Sequence, residues 1–186
     1  MTTSTRERIM EAARLTVQDL GYSGLSFREL AKAVGIRSAS IHYHFPTKGE
    51  LVVAIVRGYI ERHEAFLDDL LAESVDRGAL MDEYTDMFRR TLFDGNRMCL
   101  AGMLSAERNE LPEDVRAEVV RWGEMNERWL VDVLASGDVE GAERLRPRAR
   151  AIFAAVSGAQ MIAHGRNEVV AYDDVIAAYR GSGLLP

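Results

Sequence analysis

Apolar residues recur every three to four positions along most of the chain, and no run alternates with the period of two that marks a strand. The pattern predicts an all-α protein of about nine helices. Ile9, Ala12, Ala13, Thr16, Val17 and Leu20 share one stripe of a helix over residues 5–20, and Gly21 stands where that helix should stop. A second helix is expected over 27–34, opened by a capping box of Ser26 and Glu29 and closed by Gly35. Gly35, Ile36 and Arg37 read as a tight turn into a third helix over 38–44. Pro46 stops it, because proline disfavours helical backbone in the residue before it. Thr47 and Glu50 form a second capping box ahead of a long helix over 48–73, with Leu51, Ile55, Tyr59, Phe66 and Leu70 among its apolar positions. Gly78 marks a break. Further helices are expected over 79–93, 100–107, 112–135 with Pro112 in the first turn, 147–164 and 172–180. Gly137 and Gly141 punctuate the loop before the eighth helix.

Two short helices joined by a glycine-containing turn form the helix-turn-helix pattern, in which the second helix enters the major groove of DNA. Here that helix reads Ser38, Ala39, Ser40, Ile41, His42, Tyr43, His44. Ser38 and Ser40 are small and hydrogen-bonding, as close approach to base edges requires, and His42 offers a longer polar reach. Ile41 and Phe45, four apart, should point back into the core. Tyr43 and Lys48 suit phosphate, one as a phenolic donor and the other as a point charge at a helix N-terminus. With Arg28 and Arg37 they make up the candidate DNA-binding set. The same spacing would also suit an ordinary helical hairpin with a polar surface.

Composition sharpens this picture in two ways. Of 186 residues, 47% are hydrophobic and 28% charged, enough for a sizeable core, and the 15 Gly and 4 Pro argue against disorder. The net charge of −6 does not by itself point to nucleic acid, but residues 1–50 carry seven Lys/Arg against five Asp/Glu, whereas the remainder holds 16 against 24. A mildly basic head on an acidic body would dock DNA in one orientation. The expected division is a DNA-binding domain over 1–50 and a ligand-binding and dimerisation domain over 51–186. The single Cys99 excludes an intramolecular disulfide, the polar start carries no signal-peptide core, and no apolar run approaches membrane-spanning length. A cytoplasmic location is expected. No zinc-protease, phosphate-loop or paired-cysteine motif is present, so neither an enzyme nor a metal or cofactor protein is expected.

Residues 26–51 closely resemble the tetracycline-repressor (TetR/AcrR) family. The shared elements are Ala31 before Gly35, the run Tyr43-His44-Phe45, and Lys48 ahead of Glu50 and Leu51. The resemblance covers about residues 6–60, and the segment from Cys99 to Pro112 is similar to one branch. It implies a nine-helix, Ω-like homodimer whose first three helices bind DNA, whose fourth joins them to the body, and whose last two pair across the dimer axis. It also implies a transcriptional regulator, most often a repressor, released from a pseudo-palindromic operator by a small apolar or amphipathic inducer. Two departures stand out. Arg37 replaces the Ser or Thr helix cap of many members, so capping would pass to Ser38 and Arg37 would be left for phosphate. His42 replaces a common Tyr.

In the body, Tyr84, Met87, Phe88, Cys99, Met103, Trp122, Met125 and Trp129 are the candidate inducer-pocket residues, since aromatic and thioether groups make adaptable apolar walls. Plain core packing is the competing account. Ile152, Ala155, Val156, Ala159 and Ala163, with Val175, Ile176 and Tyr179, form the candidate dimer surface, or else an intrachain core stripe. Arg144, Arg146, Arg148 and Arg150 read as a solvated face, cross-dimer ion pairs or a second nucleic-acid patch. Cys99, beside Arg97 and a helix N-terminus, is either a buried inert thiol or a low-pKa sensor of oxidants and electrophiles, as the resemblance to redox-responsive relatives hints. A helical interaction protein without DNA binding is the remaining alternative.

Overall fold

The computed structural model describes residues 4–135 and 141–186, so Gly137 and the first three residues lie outside the described residues. Among the described residues there are nine α-helices and one 3₁₀ turn, with no strand: α1 Thr5–Gly24, α2 Phe27–Val34, α3 Ser38–His44, α4 Lys48–Glu73, α5 Arg77–Phe93, α6 Leu100–Ala106, the 3₁₀ turn Arg108–Glu110, α7 Glu113–Ala135, α8 Ala142–Arg166 and α9 Val169–Gly181. No helix among them is long and apolar enough to cross a membrane.

Two compact units emerge. The first comprises residues 1–61 and 99–121. Its core joins Ile9, Ala13 and Val17 of α1 to Leu30 and Val34 of α2, Ile41 of α3, Leu51, Val52 and Ile55 of α4, and Leu100, Leu104, Leu111 and Val115 of the later segment. Helix α1 starts with a complete capping box. The Ser4 hydroxyl accepts from the Glu7 N–H at 3.2 Å, and the Glu7 carboxylate accepts from the Ser4 N–H at 2.7 Å. These bonds hold the Glu7 carboxyl below the usual carboxylate range. Gly21 breaks the helix at φ 73°, ψ −178°, after which one further turn runs to Gly24. Leu20, expected on the buried stripe, sits in the last turn before that break and is 63% exposed.

The other expected caps behave differently. Ser26 occupies the N-cap of α2 in extended conformation, but its hydroxyl makes no capping bond. Glu29 is drawn instead to Arg28 at 3.2 Å and Lys32 at 3.0 Å, so this capping box does not form. Thr47 accepts from the Glu50 N–H at 3.1 Å, while the Glu50 carboxylate closes on the Thr47 hydroxyl rather than on the backbone. Arg37, not Ser38, is the N-cap of α3, and its side chain makes no cap bond.

The second unit comprises residues 62–98 and 122–186. Helices α8 and α9 pack on one another and on α5. Asp76 caps α5 by accepting from the Ala79 N–H at 2.8 Å, which starts the helix at Arg77 and absorbs Gly78 into its first turn. Helix α8 begins at Ala142, well before Pro147, which lies in its second turn at the loss of one helical hydrogen bond.

Candidate functional site

Helix α3 is held from both ends and from beneath. Gly35 closes α2 in the left-handed region at φ 74°, ψ 36°, where its N–H and that of Ile36 take up the carbonyls of Lys32 and Ala31 at 3.1 and 3.0 Å. A Cβ would strain that backbone, so glycine is what lets α3 follow α2 after three residues. Ile41 and Phe45 are buried and anchor α3 into the first unit. Arg8 of α1 donates to the Val34 carbonyl at 2.5 Å, and the Arg6 guanidinium lies 4.9 Å over the Phe45 ring.

With Ile41 and Phe45 turned inward, the opposite face of α3 faces outward. Ala39, His42 and Tyr43 are exposed on it, spaced three and four apart, and Tyr43 is 85% exposed. Arg37 is exposed at the helix N-terminus, while Ser38 and Ser40 are half-buried beside this face. Ala39, which is not among the candidate DNA-binding residues, also lies on this face. The spacing 39, 42, 43 identifies it, and its small side chain leaves room for close approach. His42 rests edge-on against Phe27 with centroids 4.9 Å apart, and its Nδ1 lies 3.4 Å from the Pro46 carbonyl. Arg28 is exposed on α2 beside Glu29. Lys48 is half-buried; its Nζ donates to the Tyr22 carbonyl at 3.0 Å and sits 4.1 Å over the Tyr22 ring.

Most of the candidate pocket residues gather in the second unit as packed core. Tyr84 stacks on Trp129 with centroids 5.1 Å apart and meets Phe88 edge-on at 5.4 Å; Trp122 lies 6.5 Å from Phe88 and 5.0 Å from the His63 ring. Met87 and Met125 are buried as well. A polar pair runs through this cluster, which the sequence pattern did not disclose: the Tyr84 hydroxyl donates to Asn126 Oδ1 at 3.0 Å, and Asn126 Nδ2 donates to the Trp122 carbonyl at 2.8 Å. Trp129 Nε1 donates to the Leu67 carbonyl at 2.8 Å. A cavity of about 70 Å³ adjoins Leu67, Met125 and Trp129, well below the roughly 300 Å³ of a drug-sized site. Cys99 and Met103 belong to the first unit instead.

Cys99 is a buried thiol. Its Sγ caps α6, accepting from the Gly102 N–H at 3.2 Å, which favours the thiolate. Burial outweighs that effect and pushes the thiol up to about 11, while Arg97 is drawn to Asp94 at 3.0 Å. Most of the candidate dimer stripe lies in the chain's own core, the second of the two expectations for it. Ile152, Val156, Ala159, Ala163 and Ile176 are buried within the chain's own second unit, with Ala155, Val175 and Tyr179 half-buried. Among the described residues, the large apolar groups that α8 and α9 turn outward are Met161, Ile162 and Val170, exposed by 58%, 44% and 65%. Within the arginine cluster, Arg150 forks onto Glu127 at 2.8 and 2.9 Å, and Arg148 donates to the Gly183 carbonyl. His164 is structural: its Nδ1 lies 2.6 Å from the Asn96 carbonyl, and Asn96 Nδ2 donates back to the His164 carbonyl at 3.0 Å.

Residues 9–55, which hold α1 to the first turns of α4, match the family model described as bacterial regulatory proteins, tetR family. A TetR transcriptional regulator of Legionella pneumophila, solved by crystallography, superposes over 97% of this chain and 98% of its own, with a TM-score of 0.90 and 27% identity. The chain carries a TetR-family segment over residues 9–55 within a TetR-like all-helical fold. Residues 9–55 are thereby a helix-turn-helix segment of the TetR type. Among curated relatives, the probable HTH-type transcriptional regulator YttP of Bacillus subtilis is 35% identical over 68 residues, 37% of this chain and 33% of its own length. The HTH-type transcriptional repressor AcnR of Corynebacterium glutamicum is 32% identical over 80 residues, 43% of each chain. The chain spans from a third to under three fifths of the length of the curated relatives it matches.

Proposed function

We propose that this chain is a sequence-specific repressor that binds a pseudo-palindromic operator as a homodimer and is released by a small apolar or amphipathic inducer. The observation that carries the reading is the outward face of α3. Ala39 leaves room for a base pair, His42 and Tyr43 extend from it, and Ile41 and Phe45 lock the helix from behind. In this reading His42 and the half-buried Ser38 and Ser40 meet base edges, while Arg28, Arg37, Tyr43 and Lys48 meet phosphate. Two such helices would reach half-sites roughly 34–36 Å apart, or a multiple of it, once a two-fold axis relates them. The exposed Met161, Ile162 and Val170 supply the apolar face on which a second copy would pair. Repressor activity accords with the similarity to AcnR, an HTH-type transcriptional repressor.

The aromatic cluster around Tyr84 and Trp129 is the proposed inducer site. Its cavity is small, so the inducer would bind a repacked arrangement of these side chains, and only a ligand preferring one arrangement can alter DNA affinity. Selection of bound duplexes from a random pool tests the reading. A palindromic consensus is expected. Lys48→Ala should weaken all duplexes alike and flatten the salt slope by about one, whereas His42→Ala and Ser40→Ala should change the preferred bases. Recovery of no consensus, or substitutions in α3 without effect, would reject it.

A further inference from the structure

The end of α1 is gripped from two sides, and one of the two grips comes from far along the chain. After Gly21 breaks the helix, the N–H groups of Tyr22 and Ser23 both point at the carboxylate of Glu107, which closes α6. Tyr22 donates to Oε2, and Ser23 to Oε1 at 3.3 Å. The fit is tight enough that a Cβ on Gly21 would collide with all three atoms of the Glu107 carboxyl group. On the opposite side, Lys48 donates to the Tyr22 carbonyl at 3.0 Å. The Tyr22 carbonyl and the Ser23 N–H are the two ends of one peptide unit. That single peptide therefore links a cation at the start of α4 to an anion at the end of α6, and each charge polarises it in the sense that strengthens the other bond. The same later segment also comes close to the start of α4, where a Cβ added to Gly49, next to Lys48, would meet the Pro112 ring at 3.4 Å.

We propose that Glu107 is a positioning residue for DNA binding: through the Tyr22–Ser23 peptide it fixes the Lys48 ammonium and the exit of α1 toward the reading helix. The inference rests on the DNA-binding role proposed above. An ammonium has three N–H donors. The Tyr22 carbonyl takes one and thereby aims the others, which makes Lys48 a directed rather than a swinging phosphate contact. The chain enters this segment at Cys99 directly from the second unit and leaves it again at Trp122. Any rearrangement that draws back the end of α6 would therefore remove the carboxylate from the peptide and release Lys48, without altering a single residue that meets DNA.

The test uses the full chain and the duplexes recovered by selection. Glu107→Gln keeps the side-chain shape and one acceptor oxygen, and Glu107→Ala removes both oxygens. Each is also combined with Lys48→Ala. Glu107→Ala is expected to bind about tenfold more weakly, with Glu107→Gln between it and the parent, and to flatten the salt slope by about one. In the Lys48→Ala background the same substitutions should cost less than about threefold, because the contact they position is already gone. A residue that only stabilises the fold would lower the melting temperature, leave the salt slope of the folded protein unchanged, and add its full effect to that of Lys48→Ala; this result overturns the proposal. Glu107→Gln keeps the test readable if Glu107→Ala does not fold. Amide exchange in the DNA-free chain separates the two readings. A parent that binds no duplex while its Tyr22 and Ser23 amides stay protected overturns the DNA-binding role, and with it the role given to Glu107. A parent that binds, with additive substitutions, overturns the positioning role alone.

Discussion

Gly21 and Gly35 have nearly the same φ, 73° and 74°, yet alanine should cost very different amounts at the two positions. At Gly35, ψ is 36°, an ordinary left-handed geometry, and a Cβ would meet nothing within 4 Å. Only the backbone preference opposes substitution, about 1–2 kcal/mol. At Gly21, ψ is −178°, a region nearly closed to residues with a Cβ, which costs about 1–3 kcal/mol. The Glu107 carboxylate must also move aside, giving up charge-assisted bonds to two N–H groups for about another 1–3 kcal/mol. Gly21→Ala should thus lose about 2–6 kcal/mol, a large part of the stability of a typical domain. Equilibrium urea unfolding followed by far-ultraviolet circular dichroism measures both variants. Adding Glu107→Ala to Gly21→Ala should be markedly non-additive, since it removes the colliding group. Equal losses at Gly21 and Gly35, or strict additivity with Glu107→Ala, would refute the reasoning.

Other expectations follow from burial. Because burial raises the Cys99 thiol to about 11, the thiolate accumulates only as pH rises through that value, and at pH 7 about one thiol in ten thousand is ionised. Alkylation of the folded chain at neutral pH should be slow and should speed up on unfolding; rapid labelling of the native protein would contradict the buried placement. Ile152→Ala should cost about 2–5 kcal/mol on urea unfolding, as for a core residue, whereas Met161→Glu should leave the fold intact and shift the sedimentation mass toward a single chain. A Met161→Glu chain that sediments as a dimer would count against the proposed pairing face. Asn126→Ala should cost about 1–3 kcal/mol by removing the Asn126 oxygen that accepts from the Tyr84 hydroxyl and the amide that donates to the Trp122 carbonyl, as the same unfolding assay measures.

What was legible from the sequence depended on how local the cause was. The bounds of α2, α3 and α4 follow from Gly35, Pro46 and Thr47, each acting within a few residues, and the observed helices agree with the expected ones. The inward turn of Ile41 and Phe45 was legible for the same reason. Caps were less so, because a carboxylate such as Glu29 chooses between a backbone N–H and two neighbouring cations, and the pattern does not rank them. Helix α8 shows a deeper ambiguity. Periodicity finds the stripe Ile152, Val156, Ala159, Ala163, but a helix apolar on two faces does not say which face its own chain covers. The pairings of Tyr84 with Asn126 and of Glu107 with Tyr22 join residues 42 and 85 positions apart, beyond the reach of any local signal.

The participation of residues 99–121 in the first unit bears on protein engineering. A fragment cut after the third helix, or even at residue 61, would lose Leu100, Leu104, Leu111 and Val115 from its interior and Glu118, the carboxylate that receives Arg57. Grafting the amino-terminal helices onto another sensor would expose bare apolar surface unless the second stretch travelled with them. The transferable cassette is two pieces of chain, and a chimera designed with both should express as a folded product where a single-crossover fusion aggregates.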